Sequence, residues 1–287
     1  MMRDERPVQA RVREVPVSDK PAAPTGGPTG ARGAIALTPE RCPSWLRPLV
    51  DNIGQIPEAY RHRLPAPVLA MVTAAKAASS LASLRGEDRE AAVLVLFSGP
   101  ESGPADGGVP DDADLLLTVR ASTLRHHAGQ AAFPGGASDP TDDGPVATAL
   151  REAREETGID VSRLHPLVTL ERTFIAPSRF HVVPVLAYSP DPGPVAVVDE
   201  TETAIVSRVP VRAFINPENR LMVYRGNLGR RWAGPAFLLN QMLVWGFTGQ
   251  VISAVLDVAG WALPWDTTDI RELDDAMMLV GESGRRR

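Results

Sequence analysis

One stretch decides the fold: residues 135–159 read GGASDPTDDGPVATALREAREETGI. Its glycine- and proline-rich beginning predicts a loop, and the remainder predicts a short helix followed by a second loop. Asp142 or Asp143 is placed to cap the helix start, because Pro145 suits the first helical turn, where its missing N–H is not needed. Gly158 is a natural end of the helix, since glycine adopts the left-handed conformation that terminates many helices.

The predicted helix has two chemically different faces. At 3.6 residues per turn, an apolar face opposes an acidic face. The apolar face consists of Val146, Leu150 and Ala153, and the acidic face of Glu152, Glu155 and Glu156. Like charges four residues apart destabilise a helix, so the acidic face needs positive charge nearby. Arg151 and Arg154 supply some, and a divalent cation would supply more; an all-oxygen cluster suits Mg²⁺ or Mn²⁺ rather than zinc. On composition alone, a solvated acidic face with intrahelical ion pairs is the commoner explanation.

The second half of this stretch carries a specific pattern. Residues 151–159, REAREETGI, resemble the second half of the Nudix box (Arg-Glu-apolar-x-Glu-Glu-x-Gly-apolar) at every fixed position. The first half departs from that box, which has a glycine where this chain has Ala137 and a glutamate where it has Asp143. With Gly136 as the box glycine, the loop is one residue longer than usual.

A second motif lies just upstream. Residues 116–121 read LLTVRA, followed by Arg125, Gly129 and the run FPGG at 133–136. This pattern resembles the signature of the coenzyme A pyrophosphatase branch of the Nudix family, and that branch also accommodates the longer loop. The two motifs together cover residues 116–159, and a much looser resemblance to the family domain extends over 41–262.

The resemblance implies both a fold and a reaction. The expected fold is α/β: a Nudix-type α/β/α sandwich with a mixed, curved sheet and a loop–helix–loop metal site. The expected enzyme is a divalent-metal-dependent pyrophosphatase that splits coenzyme A or its thioesters into 3′-phospho-AMP and a 4′-phosphopantetheine product. Two alternatives remain open: a Nudix hydrolase of ADP-ribose or dinucleotides, and a degenerate module that binds a nucleotide without hydrolysing it.

The resemblance also assigns roles to residues. The metal ligands that it implies for Mg²⁺ or Mn²⁺ are Glu152, Glu155 and Glu156. The implied catalytic residues are Arg151, Glu152 and Glu155. The implied substrate contacts are Arg120, Arg125, Phe133, Gly135 and Gly136. For Phe133, stacking on a base and filling the core both remain open. A distal carboxylate, acting as ligand or base, is expected from Glu200 or Glu202, and the sequence does not choose between them.

Composition narrows the range of partners. The chain of 287 residues has a formal net charge of −5, which argues against a nucleic-acid partner bound by phosphate neutralisation. The single cysteine, Cys42, rules out an intrachain disulfide framework and indicates a reducing, cytoplasmic compartment. Polar residues and glycines interrupt the apolar region 235–265, so we expect a buried helix rather than a membrane span. The expected partner is a small nucleotide, with a homodimer possible.

The composition of successive segments predicts the domain organisation. Residues 1–40, rich in proline and glycine, predict a disordered tail. Residues 41–265 predict a single domain with an N-terminal helical extension, in which 67–84 are expected to be helical, and with the box at about 136–159. Residues 266–287 predict a loose, charged tail. Within the domain, strands are expected at about 90–97, 114–120, 165–175 and 180–187, with short strands at 221–224 and 236–238. Residues 202–211 resemble a stretch of the family in which a glutamate precedes a strand. His126 and His127 are expected to lie in a loop near a phosphate site.

Overall fold

A computed structural model describes residues 13–14, 34–62, 89–105, 107–121, 130–175, 178–225, 232–239 and 242–283. The helix expected at 67–84, the pair His126 and His127, and most of the expected N-terminal tail lie outside these residues. Within them the expected fold class is confirmed, because the chain forms mixed, curved, open sheets that are covered by helices.

The main sheet contains both parallel and antiparallel pairs. Its strands are β1 (Arg13–Glu14), β2 (Arg89–Ser98), β3 (Asp114–Arg120), β4 (Ala131–Ala132), β5 (Gly135–Ala137), β6 (His165–Thr169), β7 (Thr173–Ile175), β8 (Phe180–Ser189) and β9 (Thr203–Pro210). The strand order is β1-β9-β3-β2-β8-β6, while β4 pairs with β3, β5 with β2 and β7 with β8. The region expected to be one strand at 165–175 is therefore two strands, β6 and β7.

The sheet opens at the place where the box begins. Strand β2 pairs with β3 only through Phe97 and Ser98, whereas its Ala91–Val93 portion pairs with β5. The prediction that residues 135–145 form a loop throughout was therefore wrong at its start, since Gly135–Ala137 are a short strand. Gly135 permits this pairing because a Cβ there would lie 2.4 Å from the Ala92 carbonyl oxygen.

The helices lie on both sides of this sheet. They are α1 (Arg47–Asp51), α2 (Ile56–His62), α3 (Gly144–Thr157), α4 (Val211–Ile215), α5 (Gly246–Val258) and α6 (Leu273–Ser283). Helix α3 is the predicted box helix, and Gly158 ends it in the left-handed conformation at φ 66°, as expected. No helix among the described residues combines the length and the apolar character that crossing a bilayer requires.

Two clusters of apolar side chains cover the two faces of the main sheet. Helix α3 packs through Val146, Ala149, Leu150 and Ala153 against strand residues that include Ala92 and Leu94, which confirms its predicted apolar face. The other face packs against α1 and α5, and it includes Trp45, Phe97 and Tyr188, whose rings meet edge to face. This arrangement gives the α/β/α layering and leaves the acidic side of α3 outside the apolar core, beside β5, in the region that we call the cleft.

The C-terminal region corrects the expectation of a loose tail from residue 266. A second sheet has the order β12 (Met242–Val244), β11 (Trp232–Leu239), β10 (Arg220–Arg225), β13 (Ile270–Glu272), and α6 packs on it. Leu273 and Ala276 are buried in a third apolar cluster, with Met277 and Val280 packed against it. The spacing of these four residues is helical, and the neighbouring Asp274 and Asp275 concealed it by making the region read as charged.

Candidate active site

Glu152 lies directly against the backbone of the short strand β5. A Cβ built on Gly136 would meet both carboxylate oxygens of Glu152, at 2.6 and 2.7 Å. Real side chains do not approach so closely, so only glycine permits this position of the carboxylate. Half-burial raises the pKa of Glu152, while the hydrogen bond from Arg151 acts in the opposite direction. Gly136 was predicted to be a substrate contact; the group that lies nearest to it here is the Glu152 carboxylate.

Glu156 is the most buried carboxylate of the helix. The Gly135 N–H donates to Glu156 Oε2 at 3.2 Å. The pKa of Glu156 is raised to about 7, chiefly by burial and in part by the nearby Glu152 and Glu202, against the opposing effects of the Gly135 amide and Arg120. A desolvated carboxylate with two acidic neighbours is a group that a cation would stabilise.

Arg151 joins the box loop to the acidic face. Its five N–H donors are all used: Nε and Nη2 donate to the two Asp142 oxygens, at 3.0 and 2.9 Å. Nη1 donates to Glu152 and to Glu155, each at 2.9 Å, and Nη2 also reaches the Ala137 carbonyl at 2.9 Å. Because no donor is left over, Arg151 fixes the positions of the carboxylates rather than offering a free donor to a substrate.

Asp142 is a site residue whose role the sequence did not identify. Its side chain is only 6% exposed, and the hydrogen bonds from Arg151 lower its pKa to about 2. Asp143, at the position of the box glutamate, is the N-cap residue of α3 but makes no capping hydrogen bond through its side chain. The sequence signal that could have identified Asp142 is its spacing from Gly136, the glycine beside Glu152. Five residues separate Gly136 from Asp142.

Glu155 differs from the other two glutamates of the helix. Its side chain is 52% exposed and lies beside Arg151. The structure therefore brings Glu152 and Glu156 to the cleft and leaves Glu155 at its outer rim.

Arg120 and Glu202 come to the cleft from two neighbouring strands. The Glu202 carbonyl accepts the Ala121 N–H at 2.9 Å, and the Glu202 N–H donates to the Asp199 carbonyl at 3.2 Å. The first bond ties the residue before β9 to the end of β3, and the second closes the turn that precedes β9. Both side chains act electrostatically on Glu156, as described above. Between the two candidates for a distal carboxylate, this contact favours Glu202 over Glu200.

The remaining predicted residues lie elsewhere. Phe133 is 3% exposed and belongs to the main apolar cluster, where it also lines a small apolar cavity between the sheet and α5. The structure therefore favours core packing over base stacking for Phe133. Arg125 lies outside the described residues. Cys42 is buried, and burial raises the pKa of its thiol to about 11, as befits an inert core residue.

The donor set fits a hard divalent cation. Within the described part of the chain, no three acidic, histidine or cysteine side chains already converge as a preformed metal cage. The groups available at the cleft are nevertheless carboxylates, and the desolvation of Glu156 is the kind of strain that a cation relieves. Of these carboxylates, Glu152 accepts a charged hydrogen bond from Arg151 at 2.9 Å.

Comparison with known proteins identifies the family. Residues 101–226 match the NUDIX domain. The chain is 38% identical over 140 residues to the uncharacterized Nudix hydrolase NudL of Yersinia pestis (strain Pestoides F), a match covering 48% of this chain and 68% of that protein. The NudL protein of Yersinia pseudotuberculosis serotype O:1b matches to the same extent. The chain belongs to the Nudix family.

Membership of the Nudix family makes the chain a hydrolase of diphosphate bonds. Nudix hydrolases act on small nucleotide substrates and generally need divalent metal ions. Among solved structures, the Nudix hydrolase RenU of M. smegmatis is 25% identical, with a TM-score of 0.33 over 43% of this chain and 71% of that chain. A MutT/nudix family protein of Enterococcus faecalis is 17% identical, with a TM-score of 0.36 over 60% of this chain and 68% of that chain.

Proposed function

We propose that this Nudix hydrolase is a coenzyme A pyrophosphatase, acting on coenzyme A or its thioesters. One observation carries the proposal: the two sequence motifs meet at a single carboxylate. Arg120, from the LLTVRA motif, lies near enough to Glu156, from the Nudix box, to lower its pKa. The motif that resembles the coenzyme A signature thus contributes a cation to the same cleft as the acidic helix.

The metal would be Mg²⁺ or Mn²⁺, held by Glu152 and Glu156, with Glu155 or Glu202 as further ligands. When bound, such an ion neutralises diphosphate oxygens and lowers the pKa of an attacking water. The half-buried and buried positions of Glu152 and Glu156 support this choice, because carboxylates removed from water bind a hard cation more strongly.

The chain's own residues have distinct parts in the reaction. Arg151 positions Glu152, and Gly136 leaves room for that carboxylate beside β5. Arg120, together with Arg125, is the candidate for the 3′-phosphate of coenzyme A, since guanidinium groups bind phosphate in two-point contacts. Water attacks one phosphorus of the diphosphate in line, and the bridging P–O bond breaks. The products are 3′-phospho-AMP and 4′-phosphopantetheine or its acyl form.

Replacement of Glu156 by glutamine tests the mechanism. Glu156→Gln keeps the shape of the side chain and removes its charge, so turnover with Mn²⁺ should fall by roughly 100-fold or more, as expected for losing a metal-binding carboxylate. Glu218→Gln, at an exposed residue of the short turn Pro217–Asn219, is the matched control and should keep wild-type turnover. Full turnover in Glu156→Gln would exclude this mechanism.

A further inference from the structure

Thr148 is a buried polar residue in the first half of α3. Its side chain is inaccessible to solvent, and its Oγ1 lies 2.9 Å from Asp142 Oδ2, 3.2 Å from Ser138 Oγ and 3.3 Å from the Gly144 carbonyl. An ionised carboxylate only accepts hydrogen bonds, so the shortest of these contacts is a donation from Thr148 to Asp142. The lone pairs of Thr148 then remain available to accept the Ser138 hydroxyl.

Asp142 is held on every side by donors. Besides Thr148, it accepts Nε and Nη2 of Arg151 and the Asp139 N–H, the last at 2.9 Å. The Asp139 amide belongs to the loop, whereas Arg151 and Thr148 both belong to α3, and of these two Thr148 is the fully buried donor. The position of Asp142 over α3 therefore depends on the threonine hydroxyl as well as on Arg151.

Arg151 transmits that position to the acidic face. With Nε and Nη2 fixed by Asp142 and the Ala137 carbonyl, the guanidinium plane is set, and Nη1 is left to orient Glu152 and Glu155. Ser138, Thr148, Asp142 and Arg151 thus form one continuous set of contacts, which we name the loop–helix lock. Neither Ser138 nor Thr148 stands at a fixed position of the box motif.

We propose that Thr148, supported by Ser138, is a positioning residue that sets the divalent-metal affinity of the site through Asp142 and Arg151. This inference rests on the proposed function in so far as Glu152 is a metal ligand. Groups that orient a metal-ligating side chain commonly make a large contribution to metal affinity. The competing explanation is purely local, because a threonine hydroxyl that contacts the carbonyl four residues back also serves the helix alone.

The test compares two identical substitutions in one helix. Thr148→Val removes the hydroxyl and keeps the shape. Thr157→Val does the same at a second fully buried threonine of α3, whose hydroxyl donates to the Ala153 carbonyl at 2.6 Å and is not part of the lock. Mn²⁺ affinity is measured by electron paramagnetic resonance without substrate, and the exchange of the Arg151 Nε–H is followed by NMR without metal.

The expected result separates the two valine variants. Thr148→Val should weaken Mn²⁺ binding by roughly 10-fold, the lower end of the loss seen when a partner of a metal ligand is removed. It should also speed exchange of the Arg151 Nε–H. Thr148→Ser should restore both properties, and Thr157→Val should change neither. Ser138→Ala, at an exposed loop residue, should give a smaller loss of the same kind and serves if Thr148→Val does not fold.

Equal Mn²⁺ affinity and equal Nε–H exchange in Thr148→Val and Thr157→Val would overturn the positioning role. A wild-type protein that binds no Mn²⁺ would instead overturn the metal chemistry of the proposed function and the link from the lock to metal affinity. In that case, Nε–H exchange would still decide whether Thr148 holds Arg151.

Discussion

At the scale of single residues, two adjacent glycines have different tasks. The atoms nearest to a Cβ at Gly136 would be those of the Glu152 carboxylate, whereas the nearest to a Cβ at Gly135 would be the Ala92 carbonyl oxygen and Val93 atoms of β2. Gly136 leaves room for a flexible side chain, and Gly135 leaves room for the pairing of two strands. From the sequence both looked like turn glycines, since the distinction depends on what the fold brings against each.

The two glycines therefore predict opposite outcomes on replacement by alanine. Gly136→Ala should push the Glu152 carboxylate aside and lower turnover by roughly 100-fold, while changing unfolding free energy by less than about 1 kcal/mol. Gly135→Ala should instead lower unfolding free energy by more than about 2 kcal/mol, because the clash is with backbone. Activity assays and urea titrations of both variants check this, and similar profiles for the two would contradict it.

Asp142 predicts a dependence of stability on pH. Its pKa is about 2 in the folded chain, below the ordinary aspartate value of 3.8, so the folded state releases its proton more readily. The stabilisation is therefore present above 3.8 and lost as the pH falls through the folded value. As the pH falls from near neutral to the folded pKa of Asp142, the wild type should therefore lose about 2 kcal/mol of unfolding free energy relative to Asp142→Asn.

Urea titrations of the wild type and Asp142→Asn at a series of pH values measure this difference. Other carboxylates titrate in both proteins and cancel in the comparison. A gap between the two proteins that stays constant down to the lowest pH would show that Asp142 is not bound to Arg151 in solution.

At the scale of elements, periodicity predicted most helices and strands. The two faces of α3 followed from its spacing, and β2 and β3 from their apolar runs, whereas β9 was expected from the family resemblance of residues 202–211. The strand β5 was missed because glycines carry no strand signal, and its pairing depends on a close approach to β2. The role of Asp142 was missed for a similar reason: which of two adjacent aspartates reaches Arg151 depends on the folded path of the loop.

Helix α6 predicts that the C-terminal region contributes to stability. Leu273 is 3% exposed and packs in the third apolar cluster, so Leu273→Ala should lower unfolding free energy by about 2–4 kcal/mol. Met278, on the same helix, is 60% exposed, and Met278→Ala should change it by less than about 0.5 kcal/mol. If thermal or urea unfolding showed no loss for Leu273→Ala, the docking of α6 would be disproved.

At the scale of the whole molecule, local patterns predicted the α/β class and the acidic face of the box helix. The layered architecture and the position of that face in a cleft were implied by the resemblance to the Nudix family, which two motifs adjacent in sequence carry. The second sheet was only partly predicted. The short strands expected at 221–224 and 236–238 are confirmed as β10 and β11. Strand β13 was missed because it is too short to show alternation and pairs with β10 residues 48 positions away. Contacts between distant segments are also what bring Arg120 and Glu202 to Glu156.

The central claim is that this cleft hydrolyses the diphosphate of coenzyme A. The measurement that tests it most directly is product formation by the purified protein with Mg²⁺ or Mn²⁺, comparing coenzyme A, dephospho-coenzyme A, ADP-ribose and NADH. We predict release of 3′-phospho-AMP from coenzyme A, with slower cleavage of dephospho-coenzyme A because it lacks the 3′-phosphate. Equal cleavage of coenzyme A and dephospho-coenzyme A, or cleavage of ADP-ribose alone, would contradict the claim.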